Sequence, residues 1–313
     1  MRTRRILTVS ACVAALCLLA ACSKDKPTEP KPTPFWTARH ADVAYHLRGA
    51  CWGDAAFVTV GVSDAGTTVA SLTSTDGVQW AATTYVYPGA TGQLHDVVWT
   101  GTTYVARSLQ GLYTSVDGNA YAKLTAYTAQ PEAVAWSGAY LAASAYVGGQ
   151  YVVDTSVTGA TWGRIAATMP WSSVRRFCFG GGQWILIEGG STPRIFRSTD
   201  LHTWTERAQL TAEVSDVAWS GSAFLLVCGS QAYRSTTGET WTPATLPGAF
   251  GSAVAWAGTA WIVAGAETYR SLDGATWTKI GNDPATLSIR DLAWSGQVLV
   301  GVGTSGTIFT ATL

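Results

Sequence analysis

The sequence predicts an all-β fold on three observations. The 313 residues include 33 Gly and 15 Trp, which is typical of tight turns joining short aromatic strands. Charged residues make up only 13% of the chain, about half of the usual fraction. Two short motifs also recur along the chain. This composition excludes a disordered chain and a coiled coil, and the net charge of +0 favours no nucleic-acid partner.

Residues 1–21 have the features of a secretory signal peptide. An arginine-rich start precedes the apolar stretch 6–20, which is too short to span a membrane. The run Leu19-Ala20-Ala21-Cys22 then resembles the lipobox of bacterial lipoproteins, in which the Cys is diacylated and becomes the new N-terminus. The resemblance implies that residues 1–21 are a lipoprotein signal peptide and that Cys22 anchors the mature chain in a membrane. The alternative is an ordinary secretory signal that happens to contain Cys.

Residues 22–34 are predicted to be a solvated tether. They are rich in Pro and Lys and contain no large apolar residue to bury, so the segment should be semi-extended. Ser23 stands where lipoproteins retained in the inner membrane often carry Asp, and resemblance to that sorting rule favours the outer membrane. We therefore expect a lipid-anchored protein of the cell envelope, on either the periplasmic or the surface face of the membrane.

The first repeated motif is an apolar run followed by an aromatic residue and a small-residue turn. Its seven aromatic residues are Trp52, Trp99, Trp136, Phe179, Trp219, Trp256 and Trp294. Trp52 and Trp294 are six repeats apart, so the period is about 40 residues.

The second motif is Ser-x-Asp/Thr-Gly-x-x-Trp, and one copy follows each of the first six copies of the first motif. Asp occupies its third position at Asp76, Asp117, Asp200 and Asp273, whereas Thr158 and Thr237 occupy it in the other two copies. Asp-Gly suits a tight turn, because Gly adopts positive φ and Asp accepts hydrogen bonds from the backbone ahead of it.

Each period contains four predicted strands, which indicates a β-propeller blade. The last period stops after its third strand, and residues 35–39 resemble the missing fourth strand. We therefore predict a single seven-bladed β-propeller over residues 35–313, with four-stranded antiparallel blades and a ring closed by the N-terminal strand. The alternatives are an open stack and a different blade count.

The second motif resembles the Asp-box, also called the BNR repeat, although the copies here are one residue shorter between Asp and Trp. Nearly all of the mature chain is similar to Asp-box propellers, which include sialidases and photosystem II assembly and stability factors. The resemblance implies the fold and says little about function. It also implies that the Asp residues of the motif are structural.

We expect the repeated Trp residues to pack between blades and the repeated Asp residues to order turns. On this basis Trp256→Ala should cost about 3–5 kcal/mol of stability. The structural repeat residues are Asp76, Asp117, Asp200, Asp273, Trp99, Trp136, Trp219, Trp256 and Trp294.

The position four residues before each repeated aromatic residue varies in chemistry. It holds Arg48, His95, Glu132, Arg175, Ser215, Ser252 and Arg290. The next position holds Gly49, Asp96, Ala133, Arg176, Asp216, Ala253 and Asp291. Three long connections, 84–94, 163–173 and 278–288, are expected to open on the same side, where we also expect Tyr85, Tyr87, Trp171 and Phe250.

Variation at one point of a repeat is where specificity is placed. The candidate binding rim therefore comprises Arg48, His95, Glu132, Trp171, Arg175, Arg290 and Asp291. The alternative is a solvated rim whose charges pair among themselves.

We expect a non-catalytic binding or scaffold module for a protein or glycan, with no cofactor, metal or catalytic residue. A sialidase-like glycosidase is the alternative enzyme, because a sialic acid carboxylate could pair with Arg48, Arg175 and Arg290. Its acid and nucleophile would come from Asp96, Glu132, Asp216 and Asp291. An assembly factor for a membrane complex is a third possibility, by family analogy.

The His and Cys residues show no metal spacing. We expect the mature chain's Cys51, Cys178 and Cys228 to be unpaired thiols, because they lie in separate blades or strands.

Overall fold

The computed structural model describes a closed set of β-blades. The described residues are 34–40, 45–53, 55–63, 68–85, 93–165, 169–248, 251–281, 283–284 and 286–313. Within them every regular element is a strand, and none is a helix able to cross a membrane. The predicted signal peptide, Cys22 and the tether up to residue 33 lie outside the described residues.

The strands form seven sheets of four strands each. Strand β1 covers Thr37–His40. Blade 1 comprises β2 (Tyr45–Gly53), β3 (Ala56–Ser63), β4 (Val69–Ser74) and β5 (Ala81–Tyr85). Blade 2 comprises β6 (Leu94–Trp99), β7 (Tyr104–Ser108), β8 (Gly111–Ser115) and β9 (Ala122–Lys123). Blade 3 comprises β10 (Gln130–Trp136), β11 (Leu141–Val147), β12 (Gln150–Ser156) and β13 (Gly163–Ile165).

The remaining blades repeat this pattern. Blade 4 comprises β14 (Arg176–Gly180), β15 (Gln183–Ile187), β16 (Arg194–Ser198) and β17 (Thr205–Gln209). Blade 5 comprises β18 (Val214–Trp219), β19 (Phe224–Cys228), β20 (Gln231–Ser235) and β21 (Thr242–Thr245). Blade 6 comprises β22 (Gly251–Trp256), β23 (Trp261–Gly265), β24 (Thr268–Ser271) and β25 (Thr278–Lys279). Blade 7 comprises β26 (Ile289–Trp294), β27 (Val298–Gly303), β28 (Thr307–Thr312) and β1.

The N-terminal strand closes the ring, as the sequence predicts. Strand β1 pairs antiparallel with β28, with Thr37 opposite Thr310 and His40 opposite Thr307. Blade 7 is therefore built from both ends of the propeller, and the other six blades are simple antiparallel meanders. The prediction of a single seven-bladed β-propeller of four-stranded antiparallel blades is confirmed.

The hydrophobic core is divided among the seven junctions between adjacent blades. Strand β19 shows why, because its five residues Phe224–Cys228 are all buried. Successive side chains of a strand point to opposite faces. Phe224 and Leu226 therefore pack with blade 4, whereas Leu225 and Val227 pack with blade 6. A similar cluster joins blades 7 and 1, so the packing is continuous around the ring.

The Asp-containing turns share one hydrogen-bond pattern. In the turn after β4, Asp76 Oδ1 accepts the backbone N–H groups of Val78 at 2.7 Å and Gln79 at 2.9 Å. The hydroxyl of Ser74 donates to the same carboxylate and accepts the N–H of Gly77. The turns of Asp117, Asp200 and Asp273 have the same pattern.

The Thr-containing turns make fewer of these bonds. Thr158 Oγ1 accepts one backbone N–H, from Ala160, at 3.3 Å, and Thr237 accepts one from Glu239 at 3.3 Å.

The turn of Asp200 is the copy that lacks Gly, and Leu201 takes the place of Gly with φ of 64°. Leu201 is buried in the cluster between blades 3 and 4, so packing offsets its unfavourable backbone conformation.

The repeated Trp residues lie against the preceding blade but remain half-buried. Gly180 of blade 4 has no room for a Cβ atom, because the ring of Trp219 from blade 5 occupies that space. The fully buried Trp residues are instead Trp36, Trp184 and Trp261, and Trp256 packs edge-on against Trp261 at 5.2 Å. The repeated Trp residues thus contribute to the junctions while one side of each ring stays accessible.

Candidate functional site

The innermost strand of each blade lines a central channel and runs between its two ends. In blade 7 this strand carries Arg290 near its start and Trp294 at its end. Four residues of strand separate them by about 13 Å. We call the end with Arg48, Arg175 and Arg290 the arginine mouth, and the end with the repeated aromatic residues the tryptophan mouth.

A β-bulge projects one extra residue toward the arginine mouth from six of the seven innermost strands. The register shifts across Arg48, His95, Glu132, Ser215, Ser252 and Arg290. In blade 4, the N–H of Arg175 donates to the carbonyl oxygen of Ile187 at 2.8 Å, although Ile187 is paired with Arg176. The seven variable positions found in the sequence are therefore equivalent in the structure. Bulges often re-aim side chains at functional sites.

A cavity of about 440 Å³ opens at the arginine mouth. Its charged and polar lining consists of Arg48, His95, Arg107, Arg175, Arg176, Ser215, Ser252, Ser288 and Arg290. Ala266 and Leu287 complete one side, so the end of the 278–288 connection reaches this cavity. The described lining contains five guanidinium groups and no carboxylate.

The cations of this cavity are incompletely paired. Among the described residues, Arg176 pairs with Asp216 at 3.1 Å and Arg175 with Glu213 at 3.5 Å. The Nε atoms of Arg48 and Arg107 are buried, and within the described part of the chain neither has a hydrogen-bond partner. Burial, helped by Arg107 and Arg48, lowers the pKa of His95 to about 4, so this imidazole is neutral at pH 7.

Glu132 is the one carboxylate among the seven bulge-position residues, and it is held away from the cavity. Its Oε2 accepts the backbone N–H of Val174 in the segment that leads into blade 4, at 2.7 Å. Its Oε1 accepts the hydroxyl of Tyr151 at 3.1 Å. The side chain thus links two blades and leaves only cationic, neutral imidazole and hydroxyl groups at the other six positions.

Three half-buried aspartates lie beneath the guanidinium groups. Asp291 accepts the backbone N–H of Ala50 in blade 1 at 2.7 Å, and Asp216 accepts that of Val254 in blade 6 at 2.9 Å. Burial raises the pKa of Asp96, Asp216 and Asp291, and for Asp291 the nearby charges of the other two add to it. Arg176 opposes the rise at Asp216. Two of the three carboxyl groups therefore join adjacent blades.

Arg107 and Arg176 belong to the site although the sequence analysis did not place them among its candidates. Arg107 lies on the second strand of blade 2, directly opposite Asp96. The equivalent residues of the other blades are Val60, Ser144, Ile187, Val227, Ala264 and Val302. Aligning the second strands of the repeats would have shown Arg107 as the single charged residue at this position.

Trp171 was wrongly assigned to the rim. It is 5% exposed and packs against Phe196 and Trp204 in the core between blades 3 and 4. Trp171 lies in the long connection 163–173, and burial of its apolar ring in the adjacent junction between blades is favoured over exposure at the rim. The side chain of Tyr85, together with Tyr87 and Phe250, lies outside the described residues.

The aspartates also line a second cavity of about 530 Å³, whose walls include six of the seven repeated aromatic residues, all but Trp52. Cys178 also lines it, and burial raises its pKa to about 12. Burial likewise raises the pKa of Cys51 well above its ordinary value. Both are therefore thiols at neutral pH, and Cys51, Cys178 and Cys228 are unpaired. In the described part of the chain, no group of His, Cys, Asp and Glu residues is arranged to hold a metal ion.

The complete propeller is similar to several solved structures. One is virginiamycin B lyase from Staphylococcus aureus, a catalytically inactive variant with quinupristin, at a TM-score of 0.72 and 12% identity over 89% of this chain and 99% of that chain. Another is YCF48 bound to D1 peptide, at a TM-score of 0.70 and 14% identity over 92% of this chain and 99% of that chain. The WD40 domain of Neurospora crassa Pan2 is similar at a TM-score of 0.65 and 11% identity over 90% of this chain and 97% of that chain. No family model and no curated protein matches the chain.

These similarities show the fold alone, because all identities are low. The proteins matched include a lyase, a peptide-bound protein and a WD40 domain, so the fold serves different chemistries. The function of this chain therefore has to be inferred from the residues of its own arginine mouth.

Proposed function

We propose that this chain is a lipid-anchored protein of the bacterial cell envelope whose propeller binds a partner non-catalytically at the arginine mouth. One observation carries the binding role. Six of the seven residues that differ between repeats line one cavity. The buried Nε atoms of Arg48 and Arg107 have no hydrogen-bond partner among the described residues, and a bound partner would supply one. The partner is a protein or glycan.

The anchor is proposed from the N-terminal sequence. Its lipobox-like run ends at Cys22, and the tether that follows would hold the propeller away from the bilayer surface. Ser23 favours the outer membrane. Cys22→Ser should abolish incorporation of a clickable palmitate analogue and move the full chain out of the membrane fraction. Retained labelling in that variant would contradict the anchor.

A non-catalytic role is favoured over glycoside hydrolysis by the occupation of the carboxylates. A glycosidase needs two carboxyl groups facing its substrate. Here Glu132, Asp216 and Asp291 accept backbone N–H groups from neighbouring blades, and no described carboxylate lines the arginine-mouth cavity. Turnover of a fluorogenic glycoside by the full chain, and its loss in Asp291→Asn, would reverse this conclusion.

The binding role can be tested by site-specific photo-crosslinking in cells that produce the full chain. A photo-reactive phenylalanine at Ala266 would sit exposed beside the arginine-mouth cavity, and the same group at Gln297 would sit exposed at the tryptophan mouth. We expect a discrete crosslinked species from position 266 that is absent at position 297. Equal crosslinking from both positions, or none from 266, would contradict the proposal.

An assembly role is one form of this binding function. YCF48, which has the same fold, has been solved with a D1 peptide bound. If the partner crosslinked from position 266 is a subunit of an envelope complex, deletion of the gene should lower the amount of that complex.

A further inference from the structure

The arginine mouth differs from an ordinary charged surface because its cations converge on one enclosed volume. Five guanidinium groups line a cavity of about 440 Å³, together with the hydroxyl groups of Ser215 and Ser252. Arginines placed so close repel one another, and such repulsion lowers the pKa of Arg48 and Arg175 in addition to burial. An arrangement of this kind is costly unless something negatively charged offsets it.

The protein's own carboxylates offset only part of this charge. Asp216 pairs with Arg176, Glu213 with Arg175, and Asp96 is the strongest attractive charge acting on Arg107. Arg48 and Arg290 have no ion pair with any described carboxylate. Asp291 lies nearby, but its two carboxylate oxygens each accept a backbone N–H. Two positive charges are left facing the cavity.

The remaining donors suit an oxyanion. A guanidinium group offers parallel N–H donors that match the spacing of oxygens on a carboxylate, phosphate or sulfate group. The blades that supply Arg290 and Arg48 are neighbours in the ring, and the Nε of Arg48 is buried without a partner in the described part of the chain. Neutral His95 and the two Ser hydroxyls add donors that carry no charge.

We propose that the arginine mouth is a binding site for a doubly charged oxyanion group, with Arg48 and Arg290 as its principal ligands and Arg107 as a supporting one. This inference rests on the proposed binding function and names the chemistry that the partner presents there. A free dianion and a dianionic group carried by a larger partner share that chemistry.

Isothermal titration calorimetry of the detergent-solubilised full chain tests the site with inorganic phosphate, sulfate and succinate as probes, and with acetate as the monoanion. We expect at least one dianion to bind at least about tenfold more tightly than acetate. Arg48→Gln and Arg290→Gln should each weaken that dianion by at least about tenfold, since a hydrogen-bonded charge contact is lost. Lys123→Gln, which removes an exposed positive charge on blade 2, is the matched control.

The inference is overturned if no dianion binds at concentrations up to about 10 mM in a buffer of roughly 0.15 M ionic strength. It is also overturned if Lys123→Gln weakens binding as much as Arg290→Gln. Thermal unfolding of each variant establishes that it is folded before its affinity is interpreted. Crosslinking from position 266 without dianion binding would refute the oxyanion site and leave the proposed function standing. Dianion binding without a crosslinked partner would support the oxyanion site and refute binding of a larger partner. It would then indicate a free anion as the ligand.

Discussion

The tryptophan mouth and the arginine mouth are built on the same strands but follow opposite rules. At the tryptophan mouth, six of the seven repeats carry Trp, and the fourth repeat carries Phe179 instead. At the arginine mouth, the seven equivalent positions hold Arg, His, Glu or Ser. Each repeated aromatic residue packs on the cluster between its own blade and the preceding one, whereas six of the seven varied residues line a shared cavity. Packing therefore explains what is repeated, and we propose that ligand binding explains what is varied.

The charged residues at the arginine mouth divide into those that link blades and those that face the cavity. Asp216→Ala tests the first group and should cost about 3–5 kcal/mol, the largest effect expected here. It leaves the half-buried Arg176 without its ion-pair partner and the Val254 N–H without its acceptor. Arg176→Leu should cost less, since the remaining carboxyl group can take up a proton whereas a guanidinium cannot lose one. Urea unfolding of the full chain measures both, with Ser215→Ala as control. Equal losses would contradict this division.

The next largest effect is expected at the tryptophan mouth. Trp256→Ala should cost about 2–3 kcal/mol, below the range for a fully buried Trp, because the ring is half-buried against Trp261. Arg290→Gln, on an exposed side chain at the other mouth, should change the free energy of unfolding by less than about 0.5 kcal/mol. If the two substitutions were equally costly, the contrast between the mouths would fail.

A smaller difference is expected between the two kinds of repeated turn. Asp273 accepts two backbone N–H groups at 2.7 and 2.8 Å, so Asp273→Ala should cost about 1 kcal/mol. Thr237 accepts one at 3.3 Å, and Thr237→Ala should cost less than about 0.5 kcal/mol. Thermal unfolding compares the pair, and the reverse order would show that the carboxylate does not order the turn.

The smallest effect concerns pH. Backbone hydrogen bonds hold the pKa of Asp273 below its ordinary value, so its stabilising contribution is present above about pH 4 and is lost as the pH falls further. The difference in stability between the wild type and Asp273→Asn should therefore shrink between pH 5 and pH 2. Because this carboxylate is exposed, water and salt keep the change small. A difference that grows on acidification would contradict the assigned pKa direction.

The fold could be predicted because each blade repeats the same local chemistry. The spacing of Trp52 through Trp294 gave the blade count, and residues 35–39 supplied the missing strand. The bulge-position residues could also be found, since Arg48, Arg175 and Arg290 align with one another in the repeats. In each case, the signal was a comparison between copies of the repeat.

Features that depend on one blade meeting another could not be predicted in the same way. Trp171 lies in a long connection that belongs to no repeat, so its burial against Trp204 is decided by tertiary packing. The bond from the Val174 N–H to Glu132 joins residues 42 apart, and no local pattern indicates it. That bond removes a carboxylate from the cavity and so changes the chemistry of the site.

The bulges have a consequence for how this protein can change. A bulge residue stands outside the regular pairing of its strand, so replacing it alters neither the register nor the alternation of the buried side chains. Five of the six bulge positions, all but that of the blade-linking Glu132, can therefore be rewritten almost independently of the ring that carries them. A library randomised at Arg48, Ser215, Ser252 and Arg290 should retain folded members with new ligand preferences, which makes the arginine mouth an evolvable surface on an unchanged frame.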